Sequence, residues 1–424
     1  MNSIKTYDGL RVFCREIPSV RSVAIGIMVG AGCVNESPDE SGISHYIEHM
    51  LFKGTERRSA FDIVEETDML GANMNAFTSK LGTCYYTLSL DSDAEKCMDI
   101  LTDMFFNSTF DEKEMEKEKG VVLEEIAMNE DTPDDVCLEL GAAAFFKGHP
   151  LEKAILGTKD TVMSFTRAQL FDYKNKYYTA ENTVVSVVGN ITEAETDRLI
   201  KKYFVPALKK GRRVRPQTAP PQNKACRVSK FKDIEQSNIG IFFPGIKIDD
   251  ENEAAMQIFN TVFGGGMSSR LFQHVREKLG LAYSVYSYPS SYINEGTFAI
   301  YVGTNKASVE KAVEALRKEI DDVVENGITE KEFEKGKAQM KSALVFGQES
   351  TSTLMRVDLK SMLFSDRPFD IDGRLALFEK VSRDDVKALA AKIFDFEKVV
   401  VSYVGPETDA DLKAVLCRER AFEK

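Results

Sequence analysis

Residues 42–54 read Gly42-Ile43-Ser44-His45-Tyr46-Ile47-Glu48-His49-Met50-Leu51-Phe52-Lys53-Gly54, a stretch that predicts one helix ending near Gly54. In a helix each residue advances about 100°, so His45, Glu48 and His49 fall within an arc of about 100° on one face. Two imidazoles at i and i+4 stand one turn apart, near enough for both to reach one Zn²⁺, as H-E-x-x-H helices do. Here the order is reversed, H-x-x-E-H. The plain alternative is an amphipathic helix whose histidines face its polar side. Yet the chain has four histidines, and two of them sit in this window beside a glutamate.

With 424 residues and 43% hydrophobic content, the chain has material for two or three domains with packed cores. A net charge of −12 argues against non-specific binding to nucleic acid or anionic lipid. The first ten residues carry no apolar signal core and no Arg/Ser-rich presequence, and no run approaches 18 apolar residues, so a cytoplasmic protein without a membrane span is expected. The seven cysteines are scattered and form no C-x-x-C pair, which predicts reduced core residues.

Before the motif, residues 10–17 and 22–30 predict two strands joined at a turn containing Pro18. After the motif come a helix from Ser59 to Leu70, strands at Asn73–Ser79 and Thr83–Leu90, a helix from Ala94 to Phe106 and a long helix from Asp111 to Asn129. Residues 209–225 are basic, Pro-rich and aperiodic, which predicts a linker between a domain at 1–208 and a second at 226–424. As a nucleic-acid patch the stretch lacks interleaved aromatics.

The second half repeats the first. Ala24-Ile25-Gly26-Ile27 is answered by Asn238-Ile239-Gly240-Ile241, and the segment from Thr166-Arg167 to Gly189 by that from Ser382-Arg383 to Gly405. The expected fold is α+β: two tandem homologous domains, each a mostly antiparallel sheet packed with helices. The repeat breaks at the motif, where His45, Glu48 and His49 become Met256, Phe259 and Asn260. Glu118 and Glu125 are likewise replaced by Gly336 and Ala343. A polar cluster lost as a set in one copy serves chemistry, not folding, in the other.

A catalytic zinc needs three protein ligands and one open position. His45 and His49 supply two. On the Glu-rich helix 111–129, Glu118 and Glu125 are seven apart and share a face, whereas Glu124 is turned about 100° away. Glu125 is the expected third ligand, with Glu118 orienting an imidazole. Taken alone, the start of this helix also reads as a solvated charged face. Zinc would supply a nucleophile at neutral pH and polarise a carbonyl, and Glu48, surplus to the ligand count, would act as general base. That chemistry is peptide-bond hydrolysis.

In HYIEHMLFKGT (45–55), GANMNAFTS (71–79), EKGVVLEE (118–125) and GGGMSSRLFQHVREKLGLAYSV (264–285), the chain resembles the pitrilysin/insulysin family of inverzincin metallopeptidases. Within it, the chain is similar to half-length bacterial enzymes like the β subunit of mitochondrial processing peptidase. The resemblance implies one Zn²⁺ per chain on His45, His49 and Glu125, Glu48 as base, and Glu118 behind the ligands. It implies that Asn75, Ala76, Phe77 and Thr78 form an edge strand to which an extended substrate adds, and that Arg276 and Tyr283 help bind substrate, the Tyr near the scissile carbonyl. It further implies a homodimer around a closed chamber admitting peptides or unfolded segments, with Arg276 and Tyr283 of one subunit facing the zinc of the other. No mitochondrial targeting signal accompanies the resemblance.

Two other readings compete. A non-catalytic assembly or binding subunit would keep the fold without the metal site; the intact motif and Glu125 argue against it. A structural zinc protein would more often show a closed, cysteine-rich site.

Overall fold

The computed structural model describes residues 2–216 and 220–418; of the expected linker, residues 217–219 lie outside the described residues. The first sheet contains β1 (Asn2–Tyr7), β2 (Leu10–Glu16), β3 (Ser22–Val29), β4 (Asn73–Thr78), β5 (Thr83–Leu90) and β6 (Thr183–Gly189) in spatial order β1-β2-β6-β3-β5-β4. The second contains β7 (Cys226–Phe231), β8 (Gln236–Pro244), β9 (Ser284–Ser291), β10 (Gly296–Asn305) and β11 (Val400–Gly405) in order β7-β11-β8-β10-β9. Without β1 the two orders are the same. Each sheet has one parallel ladder, β2 with β6 and β7 with β11, and the remaining ladders are antiparallel. The parallel partners β6 and β11 are the two runs that match in sequence, so the α+β tandem repeat holds.

The continuous apolar run of β3 follows from burial on both faces. Val23, Ile25, Ile27 and Val29 enter one core with the motif helix, while Ala24 and Met28 enter a second cluster on the opposite face. That second cluster is closed by Leu354, Met355, Leu359, Met362 and Leu363 of the helix Thr351–Phe364. Gly26 lets this helix approach, since a Cβ there would lie 2.2 Å from the Met355 sulfur. The other sheet is covered in the same manner by the helix Pro133–Phe145, which packs on β8 and β11.

The compact units are consequently discontinuous in sequence. One consists of Met1–Ala127, Lys153–Gln217 and Phe346–Phe369, the other of Met128–Glu152, Thr218–Val345 and Asp370–Lys424. Each half of the chain thus lends a helix to the unit built mainly from the other half.

The motif helix runs Ile43–Leu51, shorter than the span to Gly54 expected from sequence. Its last turn tightens, with Phe52 N–H donating to His49 O and Lys53 N–H to Met50 O, and Gly54 follows at φ 116. In the second copy the equivalent helix is Glu253–Phe263, with Met256 and Phe259 wholly inside the core. Gly336, at the position of Glu118, lets the helix Glu330–Phe346 come close; a Cβ there would meet Val262 at 2.9 Å. Where one copy holds His45 and Glu48, the other packs Met256 and Phe259 into its core, and at the place of His49 Asn260 accepts a hydrogen bond from Ser287 at 2.8 Å.

Candidate active site

The motif helix is anchored at its start and near its middle. Glu36, only 4% exposed, accepts from the N–H groups of Gly42 and Ser44 at 2.8 and 3.0 Å, satisfying two donors at the helix start. Burial pushes its carboxyl above the ordinary value against these hydrogen bonds. Further along, Tyr46 donates to the Met115 carbonyl at 2.6 Å and ties the motif helix to the helix Glu112–Glu130.

This docking brings His45, His49 and Glu125 together. The two Nε2 atoms are 3.2 Å apart, and Glu125 Oε2 lies 3.6 Å from His45 Nε2 and 3.5 Å from His49 Nε2. A tetrahedral ion with bonds of 2.0–2.1 Å separates its ligands by about 3.3–3.4 Å. The triangle of donors therefore fits a divalent cation. The chemistry of the set agrees, since two imidazoles and one carboxylate leave one tetrahedral position open.

His49 Nδ1 lies 2.9 Å from Glu118 Oε1, and as the donor it turns the Nε2 lone pair toward His45 and Glu125. Glu118 Oε2 meets Lys53 Nζ at 2.7 Å. Burial alone would raise the Glu118 carboxyl, but the hydrogen bonds from His49 and Lys53 outweigh it and hold it below its ordinary value. His45 is different: its Nδ1 is buried with no hydrogen-bond partner among the described residues. Burial, with His49 adding to it, lowers its pKa to about 4, which keeps the ring neutral and able to donate a lone pair at neutral pH.

Glu48 projects from the same helix, and Thr78 Oγ1 donates to its Oε2 at 2.5 Å. Burial raises its carboxyl above the ordinary range despite that bond. Asn75, Ala76, Phe77 and Thr78 all lie on β4, the terminal strand of its sheet, which among the described residues pairs only with β5.

Arg276 and Tyr283 belong to the other compact unit. Arg276 lies over the Phe272 ring, 4.6 Å from its centre. Tyr283 is half exposed, its hydroxyl donates to Gln236 Oε1 at 2.6 Å, and its ring lies against Gly303, where a Cβ would come within 2.7 Å.

Sequence reasoning missed Lys53, Glu36 and the Thr78 hydroxyl on Glu48. Lys53 stands four residues after His49, a spacing that could have suggested a shared face. For the other two no local signal exists.

Comparison with known proteins places the chain. Residues 11–159 match the family model described as Insulinase (Peptidase family M16), and residues 164–340 match Peptidase M16 inactive domain. The chain belongs to the M16 peptidase family and is of its half-length type. It is 40% identical to YmxG of Bacillus subtilis, an uncharacterized zinc protease, over 95% of this chain and 99% of that one. An uncharacterized zinc protease of Streptomyces coelicolor is 38% identical over 95% of this chain and 88% of its own. The fold is shared with a solved peptidase M16 inactive domain from Pseudomonas fluorescens, at a TM-score of 0.89 and 22% identity, covering 96% of this chain and 98% of that one. Among the described residues no helix is long and apolar enough to cross a membrane.

Proposed function

We propose that this protein is a zinc-dependent endopeptidase acting on peptides or unfolded protein segments. The observation that carries the reading is the convergence of His45 Nε2, His49 Nε2 and Glu125 Oε2, with Glu118 fixing the His49 ring from behind. These three residues would hold one Zn²⁺ per chain. The bound ion would supply Lewis-acid polarisation to the scissile carbonyl and to the attacking water. Glu48 takes the proton from that water and returns it to the leaving amine. The edge of β4 at Asn75–Thr78 receives the substrate as an added strand through main-chain hydrogen bonds, a mode that tolerates varied side chains.

The family resemblance supports a homodimer enclosing a chamber, in which Arg276 and Tyr283 of one subunit bind substrate at the metal site of the other. Seven unpaired cysteines, five of them buried, suit a reducing compartment and support a cytoplasmic location.

The experiment is cleavage of a quenched fluorescent peptide of about ten residues together with zinc content, before and after a chelator and after added zinc. Chelator-sensitive cleavage restored by zinc is expected. The Glu48→Gln variant should keep its zinc and lose at least ~10²-fold in rate. Full zinc occupancy with no cleavage across a diverse peptide library would move the assignment to a non-catalytic binding subunit.

A further inference from the structure

The last pair of the β4–β5 hairpin is Thr78 with Thr83, opposite each other in register at the turn. Thr83 is fully buried and its hydroxyl donates to the Ala31 carbonyl at 2.9 Å. The Thr78 hydroxyl lies 3.3 Å from the Thr83 hydroxyl and 2.5 Å from Glu48 Oε2. A threonine hydroxyl has one proton to give and two lone pairs. A carbonyl can only accept, so Thr83 spends its proton on Ala31 and turns a lone pair toward Thr78. The Thr78 proton is then directed at the Glu48 carboxylate.

The turn behind this pair leaves little freedom. Ser79 N–H donates to the Gly82 carbonyl at 2.9 Å, and a Cβ at Gly82 would lie 2.7 Å from the Val29 carbonyl oxygen. The anchor that Glu48 meets is therefore set in the sheet and is independent of the helix that carries Glu48. A glutamate has three rotatable side-chain torsions, and a general base acts only from the rotamer that reaches its proton.

We propose that Thr78 is a positioning residue for Glu48, with Thr83 fixing the direction of its hydroxyl. This rests on the peptidase reading above and adds a role for the hairpin: the strand whose backbone edge receives substrate also aims the base. Thr78 thus acts through its side chain on Glu48, while its main chain belongs to the substrate edge.

The test compares Thr78→Val, which removes the hydroxyl at nearly constant shape, with Thr78→Ser, which keeps it. With the zinc-loaded protein and the fluorescent peptide, Thr78→Val should lower kcat about 10- to 100-fold with KM within about twofold, and Thr78→Ser should recover most of the rate. In a Glu48→Gln background, Thr78→Val should cost little more, because the two residues act as a unit. A readout independent of activity is a crystal structure of metal-free Thr78→Val, in which the Glu48 carboxylate should leave the position it holds in the parent protein. Wild-type kcat in Thr78→Val, equal loss in Thr78→Ser, or an unmoved Glu48 in the crystal would each overturn the proposal. Failure of the parent protein to cleave any peptide would instead remove the peptidase reading, with the crystallographic comparison still deciding whether Thr78 holds Glu48.

Discussion

His49 Nδ1 and Glu118 Oε1 lie 2.9 Å apart, and the same carboxylate holds Lys53 through its other oxygen at 2.7 Å. Glu118 is therefore a brace between the middle and the end of the motif segment. One oxygen fixes a ring and a tautomer; the other holds the chain where the helix has already closed. Replacing it should loosen the metal site without removing a ligand. Glu118→Gln is expected to weaken zinc binding by about 10- to 100-fold, read by competition with a chelator of known affinity. Unchanged affinity would show that an acceptor oxygen behind His49 is enough and that the charge of Glu118 contributes nothing to the metal site.

Tyr283 offers a separate check, because its hydroxyl bonds to Gln236 at the surface of its unit instead of filling a core. Tyr283→Phe should leave the free energy of unfolding within about 0.5 kcal/mol of the parent while lowering peptide turnover. An unchanged rate would take this residue out of the substrate site.

Glu36 supports the motif helix from outside the motif. Glu36→Ala strands two buried N–H groups, those of Gly42 and Ser44, and removes the negative charge at the helix start. A loss of about 1–3 kcal/mol in urea unfolding is expected, with weaker zinc retention following from a looser helix. Glu36→Gln, which keeps one acceptor oxygen, should lose less.

Lys174 sets a pH dependence of stability remote from the metal residues. Its ammonium is buried beside the Phe110 ring and donates to the Phe106 carbonyl. Burial, with Lys209 adding to it, lowers its pKa to about 7. Between that value and the ordinary value near 10.5 the unfolded chain holds a proton that the folded chain has released. Stability should therefore rise with pH across this window, by at most about 1.4 kcal/mol per unit from this group, and the full cost should be present below pH 7. Lys174→Met should gain most over the parent near pH 6, and the gain should shrink by pH 9 in urea titrations. A gain independent of pH would mean that the lysine is not buried as a charge.

The duplicated α+β fold and the residues that converge are legible in the order of amino acids alone. Period and spacing put His45, Glu48 and His49 on one face, and the seven-residue step from Glu118 to Glu125 put those two on another. Loss of the whole set in the second copy marked it as chemistry, and there Met256 and Phe259 indeed lie in packed core.

The pairings across strands and between distant segments emerge only in the folded chain. The helix Thr351–Phe364 closes one face of the first sheet, and Pro133–Phe145 closes one face of the second, so the compact units cross the boundary that composition suggests at the linker. The Thr78 hydroxyl on Glu48, Glu36 at the start of the motif helix and the Gly26 passage beneath Met355 belong to the same class. Periodicity tells which face a side chain occupies, because helix and strand repeat locally. It carries no information about which distant segment covers that face, since docking depends on the shape and unsatisfied polar groups that appear once both elements have formed.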